Sequence, residues 1–385
     1  MKKLFYFGTL GLALFEILNV YFIMPMPGSQ RMNSLDVAYF LYSYRWYFRI
    51  IFGLIAVVGT VSTFRTSKRK WVPAIITALA LVIIYMFNFK MVADQMFKQP
   101  TNLVFKHQLG NTLKDSSIVV GVEYNGEVKA YPIQFIGYHH QVQDNIGGKP
   151  MIITYCTVCR TGRVFEPIVK GQPEKFRLVG MDHFNAMFED ETTKSWWRQV
   201  NGEAVVGSLK GEVLPEVESF QMSVGQLFKL YPNAWVMQAD QIALDDVQYD
   251  SLAKYERGKS KSDLTRTDSL SWKDKSWVIG VEVDGVSKAY DWIEIKSQKI
   301  INDKIGNTPV VVAISNDEQS FVAFKRPTDS LQFSIRNDSL IASNKAFSFS
   351  GIGKNSDRLI RVKAYQEFWH SWQTFHPKTL RYSKE

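Results

Sequence analysis

Three long apolar segments at the start of the chain limit what it can fold into more than any other feature. They cover about residues 4–24, 46–64 and 72–89 of the 385-residue sequence. Each has the roughly 17 to 25 residues that an α-helix needs to cross a bilayer. No small-x-small cleavage site follows the first segment, which disfavours a signal peptide. The sequence therefore predicts a membrane anchor with three transmembrane helices over residues 1–90.

The basic residues of the short loops predict how this anchor is oriented. Lys2 and Lys3 precede the first segment, and the run RTSKRK at 65–70 separates the second from the third. Because short cytoplasmic loops carry the excess of Lys and Arg, both sites should face the cytoplasm. We therefore expect a multi-pass protein of the plasma (inner) membrane with a cytoplasmic N-terminus. Everything after about residue 91 should lie in the periplasm or outside the cell.

One acidic residue, Glu16, lies within the first apolar segment. A charge is costly at that depth and is normally directed at other helices rather than at lipid. We expect Glu16 to pair with Arg45 or Arg49, at the outer end of the second segment.

Charge and motifs argue against two classes of partner. The formal net charge of +9 is spread thinly apart from the basic run, so nucleic acid is not an expected partner. No Walker-type phosphate loop and no Gly-x-Gly-x-x-Gly after a strand occurs, so no nucleotide is expected either. The expected partners are the lipid bilayer and an extracytoplasmic protein. Whether the chain is an enzyme stays open.

An internal repeat organises the rest of the chain. VVGVEYNGEVKAYP at 119–132 returns as VIGVEVDGVSKAYD at 278–291, and the offset of 159 residues holds without a gap to Phe165 against Phe324. Alternating apolar patterns and tight turn signals such as Asn-Gly are typical of hairpins. The predicted fold class is three N-terminal transmembrane α-helices followed by a β-rich α+β extracytoplasmic region of two tandem related domains. The predicted bounds are 91–245 for the first domain, 246–276 for a polar linker and 277–385 for a degenerate second copy.

The second copy is an internal control on the first. At the common offset Cys156 corresponds to Ser315, Cys159 to Glu318, His139 to Gln298 and His140 to Lys299, so both thiols and both imidazoles are confined to the first copy. Glycines and the Lys-Ala-Tyr triplet persist in both. We therefore expect the first copy to be the active unit and the second to pack against it or cap it.

The two cysteines, Cys156 and Cys159, form a Cys-x-x-Cys pair in the stretch ITYCTVCRTG. Strands over 136–143 and 151–156, joined by a turn at Gly147-Gly148, would bring His139 opposite Cys156. A change of register by one residue would exchange His139 for His140. The predicted site is therefore Cys156, Cys159 and His139, with His140 as the alternative.

Three kinds of chemistry suit this pair. Two thiolates with one or two imidazoles could bind a copper or zinc ion, and thiolates favour Cu(I). The same pair could serve as a dithiol-disulfide couple, activated by an imidazolium or by Arg160. It could also be an inert disulfide, although closing so short a loop would stabilise the fold little. A module that only binds a ligand or partner is a further alternative.

A weaker cluster of possible ligands lies at residues 181–207. His183 and Met187 could ligate a metal, with Glu189 or Asp190 orienting one of them. The alternative is a polar loop that leads into an aromatic core strand.

These residues resemble a known family, the domain of unknown function 3179. The resemblance covers about residues 117–240 and rests on the following residues: His139, Asp144, Gly147, Gly148, Thr154, Tyr155, Cys156, Cys159, Gly162, Val164, Phe165, Thr193, Ser195, Trp197, Gln199, Gly202, Ala204 and Gly207. Members commonly carry an acidic residue after the His and a proline after the first Cys, where this chain has His140 and Thr157. The resemblance implies an extracytoplasmic domain built around His and Cys-x-x-Cys, and no substrate.

Overall fold

The computed structural model describes residues 1–240, 249–354 and 357–384. It contains three apolar N-terminal helices followed by a β-rich α+β region, as the sequence predicts. The chain divides into two compact units. The first unit comprises Met1–Lys98, Lys175–Arg198 and Glu203–Val213, and the second comprises Gln99–Glu174, Gln199–Gly202 and Leu214–Glu385.

The chain begins with a group of helices. They are α1 (Lys2–Tyr21), α2 (Leu35–Ser43), α3 (Arg45–Thr66), α4 (Trp71–Tyr85) and α5 (Ala93–Met96), with 3-10 turns at Ser29–Arg31 and Gln108–Gly110 and a π-helical turn at Met86–Lys90. Lys2–Tyr21, Arg45–Thr66 and Trp71–Lys90 are long and apolar enough to cross a membrane.

The buried charge of Glu16 is paired with Arg49, one of the two partners that the sequence predicts. Arg49 donates to both carboxylate oxygens of Glu16, at 2.7 and 3.0 Å, and also to Asn88. The pair links α1 to α3, and Asn88 extends the link to the π-helical turn after α4.

The strands and helices between residues 105 and 240 follow in chain order. They are β1 (Phe105–Lys106), β2 (Ile118–Tyr124), β3 (Glu127–Pro132), α6 (Ile133–His139), β4 (Gln141–Ile146), β5 (Lys149–Cys156), β6 (Thr161–Phe165), β7 (Ile168–Val169), β8 (Gln172–Pro173), β9 (Phe176–Asp182), β10 (Asn185–Asp190), β11 (Trp196–Arg198), β12 (Ala204–Val206), β13 (Phe220–Ser223), α7 (Val224–Leu230) and β14 (Trp235–Met237).

The elements described after residue 248 complete the second unit. They are α8 (Tyr249–Glu256), β15 (Trp277–Val283), β16 (Val286–Asp291), α9 (Trp292–Gln298), β17 (Ile300–Ile305), β18 (Thr308–Ile314), β19 (Phe321–Lys325), β20 (Ser334–Arg336), β21 (Ser339–Ala342), β22 (Lys345–Phe347), β23 (Lys363–Phe368), α10 (Trp369–Phe375) and β24 (Leu380–Arg381).

The first unit combines the helices with one sheet of strand order β12-β11-β10-β9. Trp196 and Trp197 of β11 are buried, as expected for an aromatic core strand. The backbone after α1 is bonded to this sheet, because the Met181 amide donates to the Ile23 carbonyl at 2.7 Å.

The second unit contains two sets of elements with the same order and pairing. In the first set, β2 and β3 form a hairpin; β13 pairs with β2 antiparallel, and β14 pairs with β3 parallel. Helix α6 then leads into the small sheet β4-β5-β6. In the second set, β15, β16, β23 and β24 pair in the same way, and α9 leads into β17-β18-β19. The glycine at the equivalent positions Gly121 and Gly280 is needed in each, because an aromatic ring, of Phe220 or of Trp372, occupies the space that a Cβ would take.

One local prediction is corrected by the structure, and another is confirmed. Residues 136–139 do not form a strand, because they belong to α6; the helix starts after Pro132 and buries Ile133, Ile136 and His139. The turn at Gly147-Gly148 is as predicted, with Asn145 opposite Pro150.

The predicted linker at 246–276 contains a helix, α8, whose Tyr249 and Tyr255 are buried in the core of the second unit. The predicted boundary at residues 245 and 246 lies outside the described residues.

Candidate functional site

Both cysteines lie in the connection between two strands of the second unit. Cys156 is the last residue of β5 and is paired with Thr161, the first residue of β6, so Cys159 lies in the four-residue turn between them. Arg160 takes a left-handed conformation, with φ of 58°, which lets the turn close. Both cysteines are thiols, and both are 0% exposed.

The adjacent histidines have different surroundings. His139, at the end of α6, is buried with Nε2 2.8 Å from the Tyr249 hydroxyl. His140 has φ of 60°, and its backbone carbonyl accepts from the Tyr155 amide at 2.9 Å. Its Nδ1 lies 2.8 Å from the Tyr155 carbonyl oxygen, next to Cys156. His140, rather than His139, therefore continues the strand pairing that leads to the first cysteine.

The proton on His140 follows from this contact. A carbonyl oxygen can only accept, so Nδ1 carries the hydrogen and Nε2 carries the lone pair. Complete burial lowers the pKa of His140 to about 4, so the ring is neutral at physiological pH. A ring whose other nitrogen donates to a carbonyl is the arrangement that metal-ligating histidines use.

Residues from the second set of elements hold the backbone of the cysteine turn. The carbonyl of Val158, between the two cysteines, lies 3.0 Å from Lys275 Nζ and 3.0 Å from His370 Nε2. The carbonyl of Cys159 accepts from the Phe368 amide at 2.8 Å. The turn is thus enclosed by both parts of the second unit.

The charge beside the thiols comes from Lys275. Burial lowers the pKa of Lys275 to about 8, and electrostatic interactions with Cys159, Cys156, Asp274 and Asp268, in decreasing order, oppose that change. Burial, and then the charge of Lys275, lowers the pKa of His370 to about 3. At neutral pH Lys275 is therefore the cation of this pair, and His370 is neutral.

Arg160, the cation that the sequence places next to Cys159, directs its guanidinium at other groups. It donates to Gln366 at 3.0 Å and to the carbonyls of Tyr255 and Glu256 at 3.2 and 2.7 Å, and lies 3.6 Å from the centre of the Trp277 ring. These contacts join the turn to α8 and β23.

The weaker candidate ligands lie in the first unit, whereas the cysteines lie in the second. His183 Nδ1 contacts Asp182 at 2.6 Å, and Met187 is buried in β10. Asp190 accepts from Thr193, Ser195 and Trp197, and Glu189 from Arg177 and Trp196, so these carboxylates hold the loop and the strand beside it.

Among the described residues, no group of three or more His, Cys, Asp and Glu side chains is arranged to hold a metal ion. The residues that sequence reasoning missed are Lys275 and His370. The first lies in the predicted linker, and the second lies in the predicted degenerate copy. A comparison of the two sets of elements could have found them. Lys275 and His370 occur at positions where the first set has Ser116 and Gly225, which carry no titratable group.

The comparisons with known proteins identify one family. The model of the family described as protein of unknown function (DUF3179) matches residues 99–379. This match is longer than the stretch of about 117–240 on which the sequence resemblance rests, and it includes the second set of elements. Neither the curated proteins nor the solved structures contain a match to this chain.

Proposed function

The chain belongs to the DUF3179 family, of unknown function, and from this premise we propose that it is a membrane-anchored protein that binds Cu(I) through Cys156 and Cys159. One observation carries the proposal. Two thiols occupy a single enclosed turn, and the buried ammonium group of Lys275 donates to the carbonyl of Val158, which lies between them in the chain. The proposal concerns binding and requires no catalytic turnover.

Charge favours a monovalent ion. A metal bound by both cysteines needs two thiolates, which carry two negative charges. Cu(I) cancels one of them and Lys275 cancels the other, so the enclosed group is neutral. Burial of an unbalanced charge is costly, so a neutral set suits a site with 0% exposed cysteines.

Ligand number also favours Cu(I) over Zn²⁺. Soft thiolates select Cu(I), which accepts two ligands, whereas structural zinc takes four. Neither histidine is arranged as a third ligand among the described residues. Of the two, His140 is better suited to become one, because it is neutral and its Nδ1 is held by the Tyr155 carbonyl. His139 is a weaker one, since its Nε2 is bonded to Tyr249. A zinc site would need both rings and a rearrangement of that contact.

A second candidate function is thiol-disulfide exchange with an external protein disulfide. One thiolate attacks a sulfur of that disulfide and the other external sulfur leaves as a thiolate; the second cysteine then displaces the first external sulfur. The chain's two thiols are oxidised to a disulfide, and the external disulfide takes up the two electrons and two protons. Lys275 favours this function because a nearby cation stabilises a thiolate. Burial of both cysteines disfavours it, since attack requires access.

The remaining elements of the proposal concern location and organisation. The three apolar helices support insertion into a plasma membrane, and the basic loops support a cytoplasmic N-terminus with the family region outside the cytoplasm. The equal order and pairing of the two sets of elements support an origin as two tandem copies. An extracytoplasmic protein that delivers or receives the ion is the expected partner.

Metal titration of the full chain in detergent tests the function. The reduced protein should take one Cu(I) in competition with a chromophoric Cu(I) chelator, and Cys156→Ser and Cys159→Ser should each nearly abolish binding. Ser315→Ala, at the position equivalent to Cys156, is the matched control and should bind normally. Wild-type protein that cannot be loaded would refute the proposal, and reversible cycling of the Cys156–Cys159 disulfide at a defined potential would then favour thiol exchange.

A further inference from the structure

We infer that Lys275 is the built-in counter-charge of the Cys156–Cys159 site, and that it makes the site selective for a monovalent over a divalent thiophilic ion. The inference deepens the proposed function and rests on it. It assigns to the second set of elements a part in the site beyond packing.

The position of Lys275 is fixed by backbone contacts around the turn. Its Nζ donates to the Val158 carbonyl at 3.0 Å and to the Leu264 carbonyl at 2.6 Å, and lies 4.7 Å from the centre of the Phe368 ring. Only 9% of the residue is exposed. The ammonium group is therefore held at the carbonyl that separates the two cysteines.

This charge has no carboxylate partner within ion-pair distance in the part of the chain that the structure describes. A buried ammonium group without an anion is costly, and carbonyl oxygens satisfy its hydrogen bonds without cancelling its charge. The carboxylates of Asp274 and Asp268 act on Lys275 from beyond ion-pair distance. Cys156 and Cys159 lie on either side of Val158, whose carbonyl accepts from Lys275 Nζ, and they supply negative charge once a metal binds. The burial of the Lys275 charge is therefore better explained by a metal-bound site, in which two thiolates balance it, than by packing alone.

Comparison of the two sets shows that this lysine is specific to the second. The Trp369 and His370 amides donate to the carbonyls of Ser276 and Asp274, and the Val224 and Gly225 amides donate in the same way to Ser117 and Asp115. These matching bonds make Lys275 equivalent to Ser116. The first set therefore provides the thiols and the second provides the cation.

The charge balance predicts selectivity. Two thiolates with Cu(I) and Lys275 sum to zero, whereas two thiolates with Cd²⁺ are already neutral and Lys275 leaves a net positive charge. Removing the lysine charge should therefore weaken Cu(I) binding and leave Cd²⁺ binding unchanged or tighter. A purely structural role for Lys275 would weaken both ions alike.

The test is competitive titration of the full chain in detergent with Cu(I) and, separately, with Cd²⁺. Lys275→Gln keeps a hydrogen-bond donor for Val158 and should lower Cu(I) affinity about 10- to 100-fold, as loss of an outer partner does in other metal sites, without lowering Cd²⁺ affinity. Lys275→Arg keeps the charge and should stay within a few-fold of wild type. Lys273→Met, an exposed neighbour, should have no effect.

The possible outcomes distinguish failure of the role assigned to Lys275 from failure of the proposed Cu(I) binding. Normal Cu(I) affinity in Lys275→Gln, or an equal loss for both ions, would overturn the role of Lys275 while leaving Cu(I) binding intact. A wild-type protein that binds no Cu(I) would overturn both. If Lys275→Gln does not fold, Lys275→Arg decides: a folded Arg variant with near-normal Cu(I) affinity supports the inference, and a folded one with weak binding refutes it.

Discussion

Arg163 and Glu367 form an ion pair of 2.5 Å in which both side chains are enclosed. The pair joins β6, which follows the cysteine turn, to β23 of the second set. The Tyr365 ring covers the guanidinium, with 3.2 Å from its centre to Arg163 Cζ. Because the partners are 204 residues apart in sequence, this contact depends on both parts of the second unit being folded together.

Loss of this carboxylate should destabilise the second unit strongly. Glu367→Gln leaves the Arg163 guanidinium buried beside a neutral group, and removing one partner of a buried pair costs about 3 to 5 kcal/mol. Because Glu216, 3.8 Å from Arg163, still offers a negative charge, the loss of stability should lie near the lower end of this range. Thermal unfolding measures the loss. Asp357→Asn, which breaks the exposed pair with Lys345, is the control; equal melting temperatures for the two variants would contradict the prediction.

The packing of α1 against α3 should depend on Gly59. A Cβ added there would lie 2.6 Å from the Phe5 Cα atom, whereas one added at Gly53, on the same helix, would meet nothing within 4 Å. Gly59→Ala should therefore force the helices apart and destabilise the first unit by about 1 to 3 kcal/mol. Gly53→Ala should be neutral. Unfolding of the two variants in detergent compares their stabilities. Equal stabilities would show that the close approach of α1 and α3 at Gly59 does not contribute to stability.

The buried carboxyl of Glu256 should make stability depend on pH. Burial raises its pKa from 4.5 to about 7. The folded state therefore binds this proton more tightly than the unfolded state, so the contribution is fully present below pH 4.5 and is lost as pH rises through 7. The size is about 3 kcal/mol.

Glu256→Gln removes this dependence and keeps an acceptor for the Ile118 amide, which donates to the Glu256 carboxylate. The variant should gain stability relative to wild type between pH 5 and pH 8, as urea unfolding at both values would measure. A wild-type minus variant difference that is the same at both pH values would disprove the shifted titration.

The orientation of the anchor can be tested with reporter fusions. The basic residues at positions 2, 3 and 65–70 predict that fusions at about residue 95 and at the C-terminus are active only outside the cytoplasm. A fusion at about residue 68 should be active only inside. Cytoplasmic activity at the C-terminus would reverse the predicted compartment of the cysteines.

The two histidines should contribute unequally to metal binding. His140→Ala removes the neutral ring that contacts the Tyr155 carbonyl and should lower Cu(I) affinity about tenfold or more. His139→Ala loses a contact with Tyr249, which should cost stability and leave affinity nearly unchanged. Chelator competition and thermal unfolding of both variants separate these effects. A greater loss of Cu(I) affinity in His139→Ala than in His140→Ala would contradict this prediction and favour His139 as the ligand, as the sequence analysis predicted.

The sequence by itself determined the elements whose signals are local or periodic. Segment length and apolar content identified the three N-terminal helices, because their composition alone suits them to a bilayer. The offset of 159 residues identified the two sets of elements, and the glycine pair predicted the hairpin at Gly147-Gly148. The cost of a charge in an apolar segment predicted Arg45 or Arg49 as the partner of Glu16, and the structure shows that it is Arg49.

Only the tertiary structure decided what surrounds the thiols. His139 was assigned to a strand that pairs across the turn at Gly147-Gly148, yet packing of Ile133 and Ile136 makes this stretch a helix. Lys275 and His370 lie 117 and 212 residues from Val158, so no local pattern could join them to it. Their contacts arise when β23 and β15 pair and carry these residues to the cysteine turn. A contact between distant segments is a property of the folded chain, because it exists only after the cores on both sides have formed.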